Sequence, residues 1–164
     1  IMKLPKLILT DIDGVWTDGG MYYDKTGNEF KKFNTSDSAG VLFSRAYNIP
    51  VGIITGENTE MVQRRAEKLG ITILYQGIHD KLPVAKQVCE DLNISLDDVA
   101  YIGDDIGDIE VLQKAGISAA PNNAPDYIKK QADFVTQKNG GEGAFREFVE
   151  HILGEERILK HLGL

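Results

Sequence analysis

The chain has one cysteine and no long apolar run. A single cysteine, Cys89, has no partner for an internal disulfide, so the sequence fits a reducing compartment. No run approaches the roughly 18 consecutive apolar residues of a membrane-spanning helix, and the chain opens without the layout of a signal peptide. We therefore expect a cytoplasmic protein that makes no contact with a membrane.

Basic residues are also fewer than acidic ones. Lysine and arginine together number 18, against 25 aspartates and glutamates, which gives a formal net charge of −7 at pH 7. This balance disfavours a nucleic-acid partner and leaves no polybasic patch for a membrane surface. An anionic substrate would need a local source of positive charge, and a bound divalent cation can supply it.

What the chain does contain is a regular alternation of strand-like and helix-like segments over 164 residues, a length typical of one domain, 1–164. Apolar runs predict strands at 6–12, 51–55, 72–75, 99–103, 117–120 and 133–136. Apolar residues at helical spacing predict helices at 37–47, 59–69, 80–92, 106–115, 125–131 and 143–153. This order predicts an α/β fold, a Rossmann-like parallel sheet with helices on both faces.

One segment departs from the alternation. Residues 19–34 have the pattern of a β-hairpin that turns around residues 25–28. The intervals 14–54 and 56–80, which separate the polar motifs described next, are too short to hold a further domain over the sheet. We therefore predict a small hairpin after the first strand and no cap domain.

Polar and charged side chains gather where the predicted strands end. They are Asp11 and Asp13 after the first strand, Thr55 and Gly56 after the second, Lys81 at the start of the helix after the third, and Asp104, Asp105 and Asp108 after the fourth. Because open α/β sheets bind ligands beyond the carboxyl ends of their strands, we expect these side chains to line one crevice.

The composition of this group indicates phosphoryl transfer. Several carboxylates in one place repel each other unless a cation lies among them. Aspartate oxygens suit a hard ion such as Mg²⁺, and the lack of histidine at the strand ends argues against zinc. A magnesium ion beside a free carboxylate, a hydroxyl and a lysine can stabilise the charge on a phosphoryl group while the carboxylate attacks it.

The motifs resemble those of a known superfamily. Asp11-x-Asp13, Thr55-Gly56, Lys81 and Gly103-Asp104-Asp105-x-x-Asp108 are similar in kind and order to the four motifs of the haloacid dehalogenase-like (HAD) phosphohydrolases, and they span nearly the whole chain. The resemblance implies that Asp11 is the nucleophile that forms an aspartyl phosphate. It also implies that Asp13 is the general acid and base, with a backbone carbonyl that binds Mg²⁺.

The remaining motif residues take their expected roles from the same resemblance. Thr55, Gly56 and Lys81 would bind the phosphoryl group. The expected metal ligands are Asp11, Asp13 and Asp104, supported by Asp105 and Asp108.

Longer stretches are similar to one subfamily. DIDGVWTDGG, FNTSDSAG, YQGIHDK and YIGDDIGDIEVL resemble phosphatases that act on phosphates of 3-deoxy-2-ulosonic acids. These include 3-deoxy-D-manno-octulosonate 8-phosphate (KDO-8-P) phosphatases of lipopolysaccharide synthesis and relatives acting on 9-phosphates of nine-carbon sialic acids, KDN or an N-acylneuraminate. Many KDO-8-P members carry arginine where this chain has Glu57. That difference favours a nine-carbon substrate, with KDO-8-P as the alternative.

The resemblance further implies a homotetramer, in which the hairpins pack at the centre and a neighbouring subunit covers each uncapped site. For substrate specificity, Arg65 and Lys68 are three residues apart on one helical face and would suit the sugar-acid carboxylate. Glu57, which follows the second motif, would bind sugar hydroxyls or hold Lys68.

Two other classes of protein fit parts of the pattern. A response-regulator receiver domain also combines a parallel sheet, an acidic pocket, Mg²⁺, a threonine and a lysine, but in a different chain order. An inactive scaffold that only oligomerises is the other possibility. The individual residues could also have purely structural roles. Turns or helix caps would explain Asp11, Asp13, Asp104, Asp105 and Asp108. Solvated helix positions would explain Lys81, Arg65 and Lys68.

Overall fold

The computed structural model describes residues 2–164, which form a six-stranded parallel sheet and a two-stranded antiparallel hairpin. The sheet strands are β1 Leu7–Thr10, β4 Val51–Ile54, β5 Ile73–Tyr75, β6 Val99–Ile102, β7 Ile117–Ala120 and β8 Phe134–Val135. The helices are α1 Asp37–Ala46, α2 Glu60–Lys68, α3 Lys81–Leu92, α4 Ile109–Lys114, α5 Asp126–Lys129, α6 Ala144–Leu153 and α7 Glu155–Leu162. The predicted α/β class and all six predicted strands are confirmed.

The strand order β5-β4-β1-β6-β7-β8 places β1 at the centre of the sheet. It has the Rossmann pattern, in which the first strand lies between the two halves and the crevice opens beyond its carboxyl end. Receiver domains of the flavodoxin-like type follow the order 2-1-3-4-5 instead. The observed order therefore excludes the receiver-domain alternative.

Both faces of the sheet are covered because each central strand is apolar on both sides. In β1, Ile8 points into a core shared with α1, α2 and α6, whereas Leu7 and Leu9 point into a core shared with α3, α4 and α5. A strand buried on both faces needs the near-continuous apolar sequence that this chain shows. No helix within residues 2–164 is long and apolar enough to cross a membrane.

The hairpin is formed by β2 Tyr22–Tyr23 and β3 Glu29–Phe30, with Tyr22 opposite Phe30. Its turn is held by Asp24, whose carboxylate accepts hydrogen bonds from Thr26 and Asn28. Among the described residues, the hairpin and α1 are the only regular elements between β1 and β4. The predicted small hairpin and the absence of a cap domain are therefore confirmed.

Two segments differ from the prediction. The predicted helix 106–115 begins as a 3₁₀ turn over 106–108 and becomes α-helical only at Ile109, because the side chains of Asp105 and Asp108 cap that turn. The chain beyond Gly154, for which no helix was predicted, forms α7. It lies against α1, where the His161 ring meets the ring of Phe43 edge-on at 6.1 Å.

Candidate active site

The carboxyl ends of β1, β4 and β6 meet at one edge of the sheet and border a crevice of about 410 Å³. Of the residues predicted for the site, the crevice is lined by Asp11, Asp13, Gly56, Glu57, Lys81, Asp104, Asp105 and Asp108. Motifs that are far apart in sequence are therefore brought together, as expected when parallel strands end at one edge.

Three of these carboxylates form a cluster that can hold a cation. Asp11, Asp104 and Asp108 each offer one oxygen, and the three oxygens lie within 4.8 Å of one another. Oδ1 of Asp104 is buried without a hydrogen-bond partner among residues 2–164. Such an orphaned carboxylate oxygen, inside an all-oxygen donor set, fits a hard divalent ion such as Mg²⁺.

Gly14 is what allows Asp104 to approach β1. It has a φ of +83°, and a Cβ built there would lie 1.9 Å from Oδ2 of Asp104. A side chain at this position would therefore displace the carboxylate, besides being strained in the left-handed region. The glycine directly after the Asp11-x-Asp13 motif is thus required by the close approach of the two motifs.

The carboxylate cluster is electrostatically unfavourable without a cation. Burial, followed by the charge of Asp108, raises the pKa of Asp11 to about 6, although Lys81 opposes the shift. Burial, followed by the charge and hydrogen bonding of Asp11, raises the pKa of Asp104 to about 9. A divalent cation would offset this repulsion and keep both groups ionised.

Lys81 supplies the positive charge that the chain itself brings to the cluster. Its Nζ lies 3.1 Å from Oδ1 of Asp11 and 2.8 Å from Oδ1 of Asp108. Burial acts to lower the pKa of Lys81, but the charges of Asp11 and Asp108 outweigh burial and raise it. The ammonium is therefore charged and directed at the group predicted to attack phosphorus.

Asp108 organises the loop after β6. Its carboxylate accepts hydrogen bonds from the phenol of Tyr101 and from the backbone N–H groups of Asp104 and Asp105, at 2.9 and 3.0 Å for the latter two. Asp105 uses its own Oδ1 to accept from the N–H of Ile106 at 2.8 Å. Asp108 thus fixes the backbone that presents Asp104, and Asp105 caps the turn at the crevice wall.

Thr55 is fully buried at the end of β4, and its hydroxyl has no hydrogen-bond partner among the described residues. An unpaired buried hydroxyl costs free energy unless something binds it. The next residue, Gly56, lines the crevice and has no side chain to cover the Thr55 hydroxyl. Both features suit the predicted binding of a phosphoryl oxygen by Thr55 and Gly56.

Asp13 has a different partner, which the sequence did not reveal. Nζ of Lys31, on the hairpin, donates to Oδ1 of Asp13 at 2.7 Å and also to the carboxylate of Glu57. Burial is the largest influence on Asp13 and raises its pKa, against the opposing effect of Lys31. Only the tertiary position of the hairpin identifies Lys31, because Lys25 and Lys32 of the same segment look alike in sequence.

Asn123 and Gly140 also support the site without having been predicted. The amide of Asn123 donates to the carbonyl of Gly14 at 3.1 Å and accepts from the N–H of Gly140 at 2.6 Å. This pair ties the loop before α6 to the turn after β1, where Asp11 and Asp13 lie. The glycine pair at 140–141 was visible in the sequence, but nothing local indicated its partner.

The predicted specificity residues divide into two groups. Glu57 lines the crevice, whereas Arg65 and Lys68 do not. The guanidinium of Arg65 lies 5.9 Å from the centre of the Phe33 ring, and Lys68 is exposed in the last turn of α2. Their role in holding the substrate carboxylate therefore stays a prediction.

Comparison with known proteins gives a consistent result. A family model described as haloacid dehalogenase-like hydrolase matches residues 71–148. The 3-deoxy-D-manno-octulosonate 8-phosphate phosphatase KdsC of Escherichia coli (strain K12) is 40% identical over 148 residues, which cover 90% of this chain and 79% of the relative.

Solved structures of similar phosphatases agree with this family assignment. The phosphatase of the same description from Moraxella catarrhalis, in complex with a magnesium ion, a phosphate ion and a KDO molecule, has a TM-score of 0.88 at 38% identity and covers 91% of this chain and 86% of its own. A probable YrbI family phosphatase from Pseudomonas syringae has a TM-score of 0.93 at 40% identity. The match covers 98% of this chain and 92% of the phosphatase.

Fold, site and relatives together define the class: the chain belongs to the haloacid dehalogenase-like hydrolases. Within them it falls in the KDO-8-phosphate phosphatase-like subfamily. It is accordingly an enzyme, a phosphoric monoester hydrolase, and the inactive-scaffold alternative is wrong.

Proposed function

We propose that this enzyme is a Mg²⁺-dependent phosphatase that hydrolyses the phosphate ester of a 3-deoxy-2-ulosonic acid through an aspartyl-phosphate intermediate. The observation that carries the proposal is the position of Asp11. Its carboxylate lies between the ammonium of Lys81 at 3.1 Å and the two carboxylates of the cation cluster, Asp104 and Asp108. A nucleophile in this position faces a phosphoryl group that the surrounding charges hold in place.

In the first step, a carboxylate oxygen of Asp11 attacks phosphorus, and the bond from phosphorus to the sugar oxygen breaks. The carboxyl group of Asp13 gives its proton to that leaving oxygen. Lys81 and the free hydroxyl of Thr55 bind the non-bridging oxygens. Asp11, Asp104 and the backbone carbonyl of Asp13 would hold Mg²⁺, which would supply positive charge to offset that of the phosphoryl group.

In the second step, the carboxylate of Asp13 removes a proton from a water molecule as that water attacks the phosphorus of the aspartyl phosphate. The bond between phosphorus and the Asp11 oxygen breaks, phosphate leaves, and Asp11 is restored as a carboxylate. Asp13 thus acts as acid in one step and as base in the next, which a half-buried carboxyl of raised pKa can do.

The preferred substrate within the class is a nine-carbon sialic acid 9-phosphate, KDN-9-P or an N-acylneuraminate 9-phosphate. Glu57 supports this choice, because it stands where many KDO-8-P phosphatases carry arginine, and it lies on the crevice wall. KDO-8-P is the second candidate, and the names of the similar relatives favour it.

A substrate comparison decides between them. The kcat/KM of the enzyme with Mg²⁺ is measured for KDN-9-P, an N-acylneuraminate 9-phosphate, KDO-8-P and unrelated sugar phosphates. We expect the two nine-carbon substrates to rank first. A higher kcat/KM for KDO-8-P would overturn the nine-carbon preference, and a higher value for an ordinary aldose phosphate would overturn the substrate class.

We also propose a homotetramer in the cytoplasm, with the hairpins at its centre. The support is the exposure of three large hairpin side chains, Met21 at 60%, Tyr23 at 58% and Phe30 at 55%. An apolar patch of this kind is typical of a subunit interface. Light scattering should report about four times 18.1 kDa, and a monomer with full kcat/KM would contradict the assembly.

A further inference from the structure

Lys31 reaches from the hairpin to two carboxylates of the crevice wall, Asp13 and Glu57, and its side chain is almost completely enclosed. Its side chain is only 5% exposed, although lysine is ordinarily a surface residue. Nζ donates to Oδ1 of Asp13 at 2.7 Å and to the carboxylate of Glu57. A buried lysine with two carboxylate partners is a built part of the site and differs from a solvated surface charge.

The hairpin leg that carries Lys31 is fixed on its far side. Phe33, two residues on, packs against the core between the sheet and α1. The side-chain amide of Asn34 donates to the carbonyl of Gly141 at 3.0 Å, which ties the leg to the loop before α6. These contacts fix the backbone near Lys31 and so limit where its ammonium can lie.

Asp13 needs such a partner because its surroundings are acidic. The carboxylate of Glu57 lies next to it, because Nζ of Lys31 binds both groups. The lysine that lines the crevice, Lys81, already binds Asp11 and Asp108. Without Lys31, repulsion from Glu57 would act on a carboxyl group that is still 34% exposed and free to rotate away.

We infer that Lys31 is a positioning residue for the general acid, an inference that rests on the proposed function. By holding Oδ1 of Asp13, Lys31 leaves Oδ2 as the oxygen that faces the substrate. As the bond from phosphorus to the leaving oxygen breaks, the proton on Oδ2 passes to that oxygen. The carboxylate that remains on Asp13 keeps the Lys31 ammonium as its partner.

The test compares two leaving groups in Lys31→Met. An alkyl phosphate needs a proton on its leaving oxygen, whereas the phenolate of p-nitrophenyl phosphate leaves without one. We expect kcat/KM to fall about 10- to 100-fold for the sugar phosphate and less than about threefold for the aryl phosphate. The kcat/KM ratio is used because it reports the steps up to phosphoryl transfer and excludes the later attack of water.

Matched variants make the result specific. Lys32→Met removes the same charge from the neighbouring exposed position and should leave both kcat/KM values unchanged. Lys31→Arg keeps the charge and should recover part of the loss. If Lys31→Met does not fold, Lys31→Arg is used for the test instead. Its guanidinium places the hydrogen-bond donors differently from the lysine ammonium, so kcat/KM should fall for the alkyl phosphate only.

Equal losses on both substrates would overturn the inference, because they would indicate that Lys31 binds the phosphoryl group or only maintains the fold. No loss on either substrate would overturn it as well. The alkyl substrate is whichever sugar phosphate the wild-type enzyme hydrolyses fastest. A wrong substrate assignment would therefore appear in the wild-type ranking and would leave the Lys31 comparison intact.

Discussion

At the scale of the residue, Asp11 and Asp13 are two positions apart but have separate environments. Asp11 is buried, and Lys81 and the backbone N–H of Ile12 bind its Oδ1, the latter at 2.8 Å. Asp13 faces the crevice mouth with Lys31 and Glu57. In the proposed reaction, Asp11 attacks phosphorus and Asp13 lies beside the leaving group or the attacking water.

Replacing Asp13 with asparagine should separate these roles. The amide cannot deliver a proton to an alkyl leaving group, so kcat/KM for the sugar phosphate should fall by about 100-fold or more. For p-nitrophenyl phosphate, kcat/KM should change by less than about tenfold, while kcat falls because the water step lacks its base. Steady-state kinetics on both substrates check this, and equal losses in kcat/KM would remove Asp13 from the role of general acid.

One buried carboxyl lies away from the crevice lining. Asp37, at the start of α1, is 0% exposed, and its Oδ1 accepts from the backbone N–H of Arg146 at 3.1 Å. Its Oδ2 has no partner among residues 2–164. Burial raises the pKa of Asp37 to about 6, although Arg146 and Arg65 oppose the shift.

Because the folded state holds the proton on Asp37 more tightly than the unfolded state does, this group stabilises the fold at low pH. That contribution is lost as the pH rises from about 4 through about 6. Asp37→Asn keeps the acceptor for Arg146 and has no charge to bury. Urea unfolding should show the variant gaining about 1 kcal/mol on wild type between pH 5 and pH 7.5. A difference that does not change with pH would contradict the raised pKa.

At the scale of the element, the loop before α6 determines the shape of the turn after β1. A Cβ on Gly140 would lie 1.9 Å from the carbonyl oxygen of Gly14 and 2.6 Å from that of Thr17. Both contacts are with backbone, so no side chain can rotate to make room. The close packing of these two segments is what lets Asn123 bond to Gly14 and Gly140 together.

Gly140→Ala should therefore destabilise the protein by about 1–3 kcal/mol and lower kcat/KM, because the turn that carries Asp11 and Asp13 must move. Denaturant unfolding and phosphatase assays measure the two effects. Gly56→Ala serves as the stability control, since the nearest atom to its Cβ would be 3.8 Å away. Equal free energies of unfolding for the two variants would show that the contact does not constrain the loop.

Elements and site residues could be predicted from the sequence where the pattern that indicates them is local. Strands such as β1 and β6 are apolar throughout, and the motif residues follow them directly, so Asp11 and Asp104 could be placed at one edge of the sheet. Lys31 and Asn123 could not be found this way, because their partners are distant in the chain. The helix α7 was missed although Ile158, Leu159 and Leu162 recur at helical spacing, because it is only eight residues long and buries none of them completely.

At the scale of the whole molecule, an acidic protein has to bind an anionic substrate. The formal net charge is −7, and the crevice itself concentrates carboxylates, with Lys31 and Lys81 each shared between two of them. The residues of the chain do not neutralise this site by themselves. Binding of Mg²⁺ at Asp11, Asp104 and the backbone carbonyl of Asp13, beside Asp108, should therefore affect both activity and the stability of the fold.

Chelation should abolish turnover, and Mg²⁺ should restore it. Mg²⁺ at about 100 times its Kd should also raise the free energy of unfolding by about 2.7 kcal/mol, measured as a higher Tm. Asp104→Ala removes an expected ligand, so its Tm should not respond to Mg²⁺. Full activity in excess chelator, or an unchanged Tm response in Asp104→Ala, would refute this metal site.

The proposed role of Asp11 is to attack phosphorus and carry the phosphoryl group. The most direct measurement is mass spectrometry of the Asp13→Asn variant, quenched with acid during turnover of p-nitrophenyl phosphate in the presence of Mg²⁺. Since we propose Asp13 as the base for the water step, the intermediate should accumulate in this variant. We predict one phosphoryl group on Asp11 and none in Asp11→Asn. Release of p-nitrophenol with Asp11 unmodified, or with the phosphoryl group on another residue, would contradict the account.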